Sequence, residues 1–162
     1  MRARISESIT LNLPTPPAYP ETQTLSQIIR GRYGETERAF ECIVSLSPES
    51  VEIVVTTPGG PRLATIIWSA TGVEERRTAL APQGVPVENI LADLFVARWP
   101  GEAITESLPT GVTFSDIDGV RTLAGPDGLL VDVTPDAADP TRVTLRNRAF
   151  GYELTIVSRV IG

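Results

Sequence analysis

A single segment with helical periodicity, residues 86–100, interrupts a chain in which most other apolar runs predict β-strands. Its apolar side chains recur at about 3.6-residue spacing and share one face. The stripe consists of Val87, Ile90, Leu91, Leu94 and Phe95, and it continues one turn later to Arg98. Pro86 suits a first-turn position, and Pro100 ends the helix at Trp99. A lone apolar helix in a β chain has to pack on the sheet, where it either completes a core or covers a cavity.

Ten strands are predicted on the two sides of this helix, because short β-branched and apolar runs alternate with turn signals. Those before it are residues 24–33, 38–46, 51–57, 62–69 and 73–80, and those after it are residues 112–117, 120–124, 129–134, 142–148 and 151–161. A short second helix is predicted at residues 102–108. About ten antiparallel strands curl through their own twist. We therefore predict a mainly β fold with a helical insertion. A curved antiparallel sheet or incomplete β-barrel would hold the helix as a lid in its concave face.

Two of these strands, residues 51–57 and 62–69, are apolar on both faces. A sheet with one wet face would alternate between apolar and polar residues. We therefore expect both strands to be covered on two faces over part of their length. The strand at residues 73–80 is polar and is expected at an edge or rim.

Residues 1–22 form a Pro-rich lead-in, with four prolines between Leu13 and Pro20. So many prolines exclude helix and central strand, so an extended tether is predicted, either a disordered end or a functional spacer. Residues 23–162 are predicted to fold as one domain, since 162 residues suit a single domain with its own core.

The composition excludes several kinds of catalytic site. All 14 basic residues are arginines, no histidine occurs, and the single cysteine, Cys42, lies among apolar residues of a predicted strand. The common general bases, Schiff-base lysines and His- or Cys-based metal sites are therefore missing from the sequence. A net charge of −6 and scattered arginines argue against nucleic-acid binding. We predict no enzyme activity, no metal and no cofactor.

Two cellular locations stay open from the residues alone. No stretch reaches the run of about 18 apolar residues that spans a membrane. Residues 1–8 also lack the apolar run of a signal peptide. The chain is therefore either cytosolic or the mature part of an exported protein whose leader has been removed.

Several segments together carry a resemblance to a known family. They are the run from Ile90 to Leu94 with Trp99 and Pro100, Arg121 after an Asp-Gly turn, the run from Leu145 to Leu154, and the Pro-rich lead-in. Over about residues 13–158 the chain resembles a bacterial lipoprotein family of unknown function. That family is often encoded beside aryl-polyene and related fatty-acid-synthase clusters in Gram-negative bacteria.

The resemblance implies a fold and a setting. The family is similar in shape to LolA and LolB, the periplasmic carrier and outer-membrane receptor of lipoproteins, whose incomplete barrels hold acyl chains under a helical lid. The resemblance also implies an exported lipoprotein on the periplasmic side of the envelope, anchored in the outer membrane through an acylated Cys upstream of residue 1. Its expected partners are a lipid or acylated ligand and other envelope proteins. The family supplies no catalytic residues.

An acyl-chain carrier needs an apolar concave surface and a cover. The candidate cavity and lid residues are Ile53, Val55, Ile67, Trp68, Ile90, Leu91, Leu94, Phe95, Trp99, Phe114 and Leu154. Each of them alone would also suit an ordinary core.

The polar candidates are Arg98, Arg121, Asn147 and Tyr152. A structural salt bridge of Asp93 with these arginines is favoured over a head-group contact. Buried Asn147 is expected to tie down the turn at residues 149–152, to which Tyr152 could add its hydroxyl.

The leading hypothesis is a non-enzymatic envelope lipoprotein that binds a hydrophobic ligand under its helix, for transport or localisation. The ligand would be an acyl chain, a polyene lipid or the acyl groups of a lipoprotein. The alternative is a structural or protein-interaction envelope protein with no ligand cavity. A carboxylate-only hydrolase ranks last, because it needs two converging buried acids.

Overall fold

The computed structural model describes residues 1–81 and 87–162. The predicted first-turn role of Pro86 falls outside these residues. The strands before the helices are β1 (Arg2–Arg4), β2 (Thr10–Asn12), β3 (Gln23–Tyr33), β4 (Thr36–Leu46), β5 (Ser50–Thr56), β6 (Arg62–Ser69) and β7 (Gly72–Arg77). The helices are α1 (Val87–Arg98) and α2 (Gly101–Glu106). The later strands are β8 (Thr113–Ile117), β9 (Val120–Gly125), β10 (Gly128–Pro135), β11 (Arg142–Asn147) and β12 (Tyr152–Val160).

Ten of the strands form one antiparallel sheet in the order β7-β6-β5-β4-β3-β12-β11-β10-β9-β8. Each half of the chain is a meander of neighbouring strands. Among the described strands the two meanders are hydrogen-bonded to each other where β12 pairs with β3, in a register that runs from Tyr152 opposite Tyr33 to Val160 opposite Leu25. The sheet is curved and open, with β7 and β8 at its edges. The prediction of a mainly β fold on a curved antiparallel sheet is confirmed.

The expectation that the two doubly apolar strands are covered on both faces is wrong. On β5 and β6 the residues that face the core, such as Ile53 and Ile66, are buried. Their neighbours Val54 and Ile67 point to the convex face and stay partly exposed. Branched side chains suit the pleated surface of a strand even where no second layer covers them.

The Pro-rich lead-in does not extend as a tether. β1 and β2 pair with one another, and five of the side chains in this segment are buried in the main core: Ala3, Ile5, Leu11, Leu13 and Tyr19. The Trp68 indole N–H donates to the Pro14 carbonyl at 2.9 Å, and the Trp99 indole N–H donates to the Pro17 carbonyl at 2.8 Å. A buried indole needs an acceptor, and these proline carbonyls lie outside any strand ladder and are free to supply one.

Candidate functional site

A pocket of about 570 Å³ lies between α1 and the concave face of the sheet. The meander β3–β7 supplies one wall, β11 and β12 supply another, and α1 closes the space with one of its faces. The lining is largely apolar, and its main contributors are Ile29, Phe40, Val44, Ile53, Val55, Ile66, Leu94, Leu154 and Ile156. The cavity thus lies where successive inward-facing positions of neighbouring strands meet the helix.

Five of the predicted cavity residues line this pocket: Ile53, Val55, Ile90, Leu94 and Leu154. Six others do not: Ile67, Trp68, Leu91, Phe95, Trp99 and Phe114. Ile67 points to the convex face, and the Phe114 ring packs against Gly101 and the Arg121 guanidinium. That any of the eleven contacts a ligand stays a prediction.

The other misplaced residues form an aromatic cluster behind the helix. The Trp68 and Trp99 rings stack with their centroids 5.3 Å apart, and Phe95 packs against both. Tyr19 from the lead-in meets Trp99 edge-on at 4.8 Å. Together with buried Leu91, these rings turn one side of α1 into ordinary core, while Ile90 and Leu94 face the pocket from its other side.

Arg121 holds the C-terminal end of α1. Its Nη1 donates to the carbonyls of Val96 at 2.9 Å and Trp99 at 2.7 Å. Carbonyls at the end of a helix lack partners within the helix and carry the negative end of its dipole, so a guanidinium suits them. Arg121 also pairs with Asp116 at 3.5 Å, and it does not line the pocket.

The expected salt bridge of Asp93 with Arg98 or Arg121 is not among the ion pairs of the described residues. Arg98 donates from its Nη2 to the Gln23 side chain at 3.2 Å, and its Nε is buried without a hydrogen-bond partner in the described structure. Asp93 instead accepts from the Tyr152 hydroxyl at 2.7 and 2.8 Å. The reason is the direction in which Asp93 points: toward the pocket rather than along the helix.

Asn147 is a structural residue outside the pocket. Its Nδ2 donates to the Ile5 carbonyl at 3.0 Å, and its Oδ1 accepts from the Phe150 backbone N–H at 2.8 Å. It therefore ties the turn before β12 to the lead-in, as a buried amide must if both its ends are to be hydrogen-bonded.

Polar groups gather where Asp93 meets β3, β4 and β12. The Tyr152 and Tyr33 rings stack at 5.5 Å, and Arg38 lies close enough to lower the pKa of Tyr33, against the larger raising effect of burial. Burial raises the pKa of Asp93 to about 7, and the hydrogen bond from Tyr152 opposes this shift. Burial and the nearby carboxylate raise the pKa of Tyr152 well above its usual value. We call Tyr33, Arg38, Asp93 and Tyr152 the polar cluster.

Gly31 makes room for the polar cluster. A Cβ at this position would lie 2.7 Å from Cε2 of Tyr33 and 3.2 Å from Cδ2 of Leu154. Any side chain there would push the Tyr33 ring away from Tyr152. A glycine inside a strand thus marks a close approach of neighbouring groups.

Cys42 lies in the wall of the pocket. Burial raises the pKa of its thiol to about 12, so the thiolate is scarce at neutral pH. In residues 1–81 and 87–162, no group of three or more His, Cys, Asp or Glu side chains is arranged to hold a metal ion. Neither α1 nor α2 is long and apolar enough to cross a bilayer.

A family model described as "Protein of unknown function (DUF3261)" matches residues 24–160. The chain belongs to the DUF3261 family. The match covers nearly the stretch over which the sequence resembles a family of unknown function, and it confirms that resemblance at family level.

The solved structures to which this DUF3261 chain is similar are distant from it. One is a LolA superfamily protein from Nitrosomonas europaea, with 12% identity, a TM-score of 0.42 and coverage of 90% of this chain and 86% of that chain. Another is a DUF1329 family protein from Desulfovibrio piger, with 8% identity, a TM-score of 0.27 and coverage of 86% and 85%. Similarities this low carry no argument about function. No curated protein matches the chain.

Two members of the polar cluster, Tyr33 and Arg38, were not among the sequence candidates for a site in this DUF3261 chain. A signal for Arg38 was available, because it is the one cation in the inward-facing series of β4, which continues with Phe40, Cys42 and Val44. Tyr33 gave no such signal, since its role depends on a register with β12 that the sequence does not specify.

Proposed function

We propose that this protein is a non-enzymatic carrier that holds the apolar part of an amphiphilic ligand between α1 and the concave face of the sheet. The observation that carries the proposal is the largely apolar pocket of about 570 Å³. Ligand sites typically have volumes of about 300–1,000 Å³ and a few convergent polar groups. The polar cluster supplies such groups.

The contacts that hold α1 in place favour a pocket that is already formed before the ligand binds. The aromatic cluster fixes the back of the helix, and Arg121 fixes its C-terminal end. A wall held in this way loses little conformational entropy when a ligand binds.

Binding is favoured over carboxylate-only hydrolysis by the arrangement of the acids. Asp93 is hydrogen-bonded to Tyr152, while Glu75 faces the pocket from the edge strand β7 and is paired with Arg77. A two-carboxylate mechanism needs a pair of free acids that converge on one bond.

The proposed setting is the periplasmic side of a Gram-negative envelope, with attachment to the outer membrane through an upstream lipid anchor. The sequence resemblance of residues 90–100 and 145–154 to a lipoprotein family supports it. Labelled palmitate fed to cells that make the protein from its native gene should enter it, and the labelled protein should fractionate with outer membranes. An unlabelled protein in the cytosolic fraction would remove this part of the proposal.

Two neighbouring residues of β5 provide the test of the carrier proposal. Val55 lines the pocket and Val54 points to the convex face, with both partly exposed. In Val55→Phe the added ring fills pocket volume, so a fluorescent apolar probe should bind at least about tenfold more weakly, a loss of about 1.4 kcal/mol. The matched control Val54→Phe should bind as the wild type does. Equal affinities in all three proteins, or no binding by the wild type, would contradict the proposal.

Lipid extraction of protein purified without detergent adds a second measurement. Mass spectrometry should find an amphiphile in the wild type at a higher occupancy than in Val55→Phe. The two samples should be prepared from the same cells and at the same protein concentration.

A further inference from the structure

We infer that the ligand carries an anionic head group, a carboxylate or a phosphate monoester, which binds at Arg38 and Tyr33 while its apolar chain lies along Ile53 and Leu94. This inference rests on the proposed function and adds the chemical class of the ligand. It follows from which polar groups of the pocket are already satisfied and which are not.

Arg38 is the first of the unsatisfied groups. Its side chain lines the pocket and is partly buried, and within residues 1–81 and 87–162 it has no ion-pair or hydrogen-bond partner. The adjacent carboxylate, Glu37, points to the opposite face and pairs there with Arg32 at 3.1 Å. A guanidinium that faces an apolar pocket loses hydration, and a bound anion would offset that loss.

Tyr33 is the second unsatisfied group. Its hydroxyl makes no hydrogen bond to any described residue, whereas the hydroxyl of its stacked neighbour Tyr152 is committed to Asp93. Arg38 and Tyr33 therefore both offer donors to the pocket. Guanidinium groups have no acceptor at all, so the complementary head group has to be an acceptor.

Below neutral pH, the protonation of Asp93 also favours an anionic head group. Tyr152 from β12 donates to Asp93 and Tyr33 from β3 lies close enough to sense its charge, while Arg38 from β4 and Arg98 from its own helix line the same pocket. The strand β1 packs on α1 through buried Ala3, and its arginines, Arg2 and Arg4, are exposed. On β7, Glu75 and Arg77 form an ion pair, so their charges cancel.

With a pKa of about 7, Asp93 is largely neutral at pH 6 and does not repel an anion.

Titration calorimetry with four 12-carbon probes below their micelle concentrations tests the head group. The probes are dodecanoate, dodecyl phosphate, dodecanol and dodecylammonium. At pH 6 the wild type should bind the best anionic probe at least about tenfold more tightly than the alcohol and the ammonium, as expected for hydrogen bonds to a charged group. The ratio of carboxylate to phosphate affinity identifies which anion the site prefers.

Arg38→Gln should remove the preference for anions, so that the affinity for the best anionic probe falls to that for dodecanol. Arg32→Gln is the matched control, because Arg32 lies in the same hairpin but on the exposed opposite face, and its affinities should equal those of the wild type. Circular dichroism and thermal melting establish that both variants are folded.

A second measurement tests the contribution of Asp93 and uses dodecyl sulfonate, which stays ionised, at pH 6 and pH 8. Binding by the wild type should weaken by up to about tenfold at pH 8, and Asp93→Asn should lose this difference.

The outcomes separate the inference from the proposed function. If dodecanol binds as tightly as the anions and Arg38→Gln changes nothing, the anionic head group is wrong while the carrier proposal stands. Tighter binding of dodecylammonium would assign the head group to Asp93 and also overturn the inference. If none of the four probes binds, both the inference and the carrier proposal fail.

Discussion

At the scale of single residues, Asp93 shows what the sequence could and could not predict. Its position on the helix follows from periodicity, but its partner does not. The two carboxylate–hydroxyl distances to Tyr152 join residues that lie 59 positions apart in the chain. Because arginines follow Asp93 in the sequence, a salt bridge was the expected interaction. The register of β12 instead places the Tyr152 hydroxyl next to the Asp93 carboxylate, and the sequence does not specify that register.

Asp93 should make the protein less stable as the pH rises from about 4 to about 7. Burial raises its pKa from 3.8 to about 7, so in this window the folded protein keeps a proton that the unfolded chain has released. The free energy of unfolding should fall by up to about 4 kcal/mol across the window, at about 1.4 kcal/mol per pKa unit. Asp93→Asn should remove this slope, which urea unfolding at pH 4.5, 6 and 7.5 would measure.

A carboxylate on the same helix provides the control. Glu88 is exposed in the first turn of α1, so Glu88→Gln should keep the wild-type slope between pH 5 and pH 7. Parallel stability profiles for the wild type and Asp93→Asn would show that the raised pKa of Asp93 does not contribute to folding.

At the scale of elements, α1 was predicted in type and extent but not in orientation. Its bounds, Val87–Arg98, follow from the spacing of apolar residues and from Pro100. The helix is apolar around most of its circumference, so the sequence does not specify which side meets the core. Leu91, Phe95 and Trp99 lie on the core side together with Trp68, and this is why four of the eleven predicted cavity residues lie behind the pocket wall.

The C-terminal end of α1 should depend on Arg121. Arg121→Met keeps much of the apolar stem but removes both hydrogen bonds to the helix carbonyls. Hydrogen bonds to a charged group contribute about 1.5–3 kcal/mol, and partial exposure lowers that figure, so we expect a loss of about 1–2 kcal/mol. Urea unfolding measures the loss, and faster amide exchange should be confined to the last turn of α1.

Arg146→Met is the comparison for Arg121→Met. Arg146 pairs with Glu153 on an exposed surface, and such ion pairs contribute less than about 1 kcal/mol. Equal losses in the two variants would mean that Arg121 does not hold the helix end in place.

At the scale of the whole molecule, the ten strands of the main sheet and their antiparallel arrangement were predictable because turn signals separate regular apolar runs. The incorporation of residues 1–22 was not predictable, because the prolines of residues 14–20 exclude regular structure around them without excluding burial. Leu11 and Leu13 are almost fully buried, and two tryptophans find acceptors in the same segment. The partly exposed convex face also escaped prediction, since apolar sequence alone does not say that a covering layer exists.

Removal of residues 1–22 should therefore destabilise the entire sheet. The deletion uncovers Trp68 and Trp99, leaves their indole N–H groups without acceptors, and removes several fully buried apolar side chains. Each buried leucine alone contributes about 2–5 kcal/mol, which is a large part of a typical domain's stability. We expect a melting temperature lower by at least about 10 °C and a red-shifted tryptophan emission.

The control for the deletion is Ile117→Ala, at a side chain that is 68% exposed. That substitution should change the melting temperature by only a few degrees, in keeping with about 0.5 kcal/mol for exposed sites. A truncated protein with wild-type melting and emission would show that the lead-in is dispensable for the core.

The pairing of β3 with β12 has a consequence for the order of events during synthesis. The second strand of this pair is completed only at Val160, although β3 itself ends at Tyr33. Until then the first meander, β3–β7, carries an open edge eleven residues long at what becomes the middle of the sheet. Unpaired edges of this kind are templates for pairing with other chains. A copy in which β12 is not yet paired is therefore most prone to aggregate at the centre of its sheet rather than at its finished edges, and the pairing of β12 with β3 removes that risk.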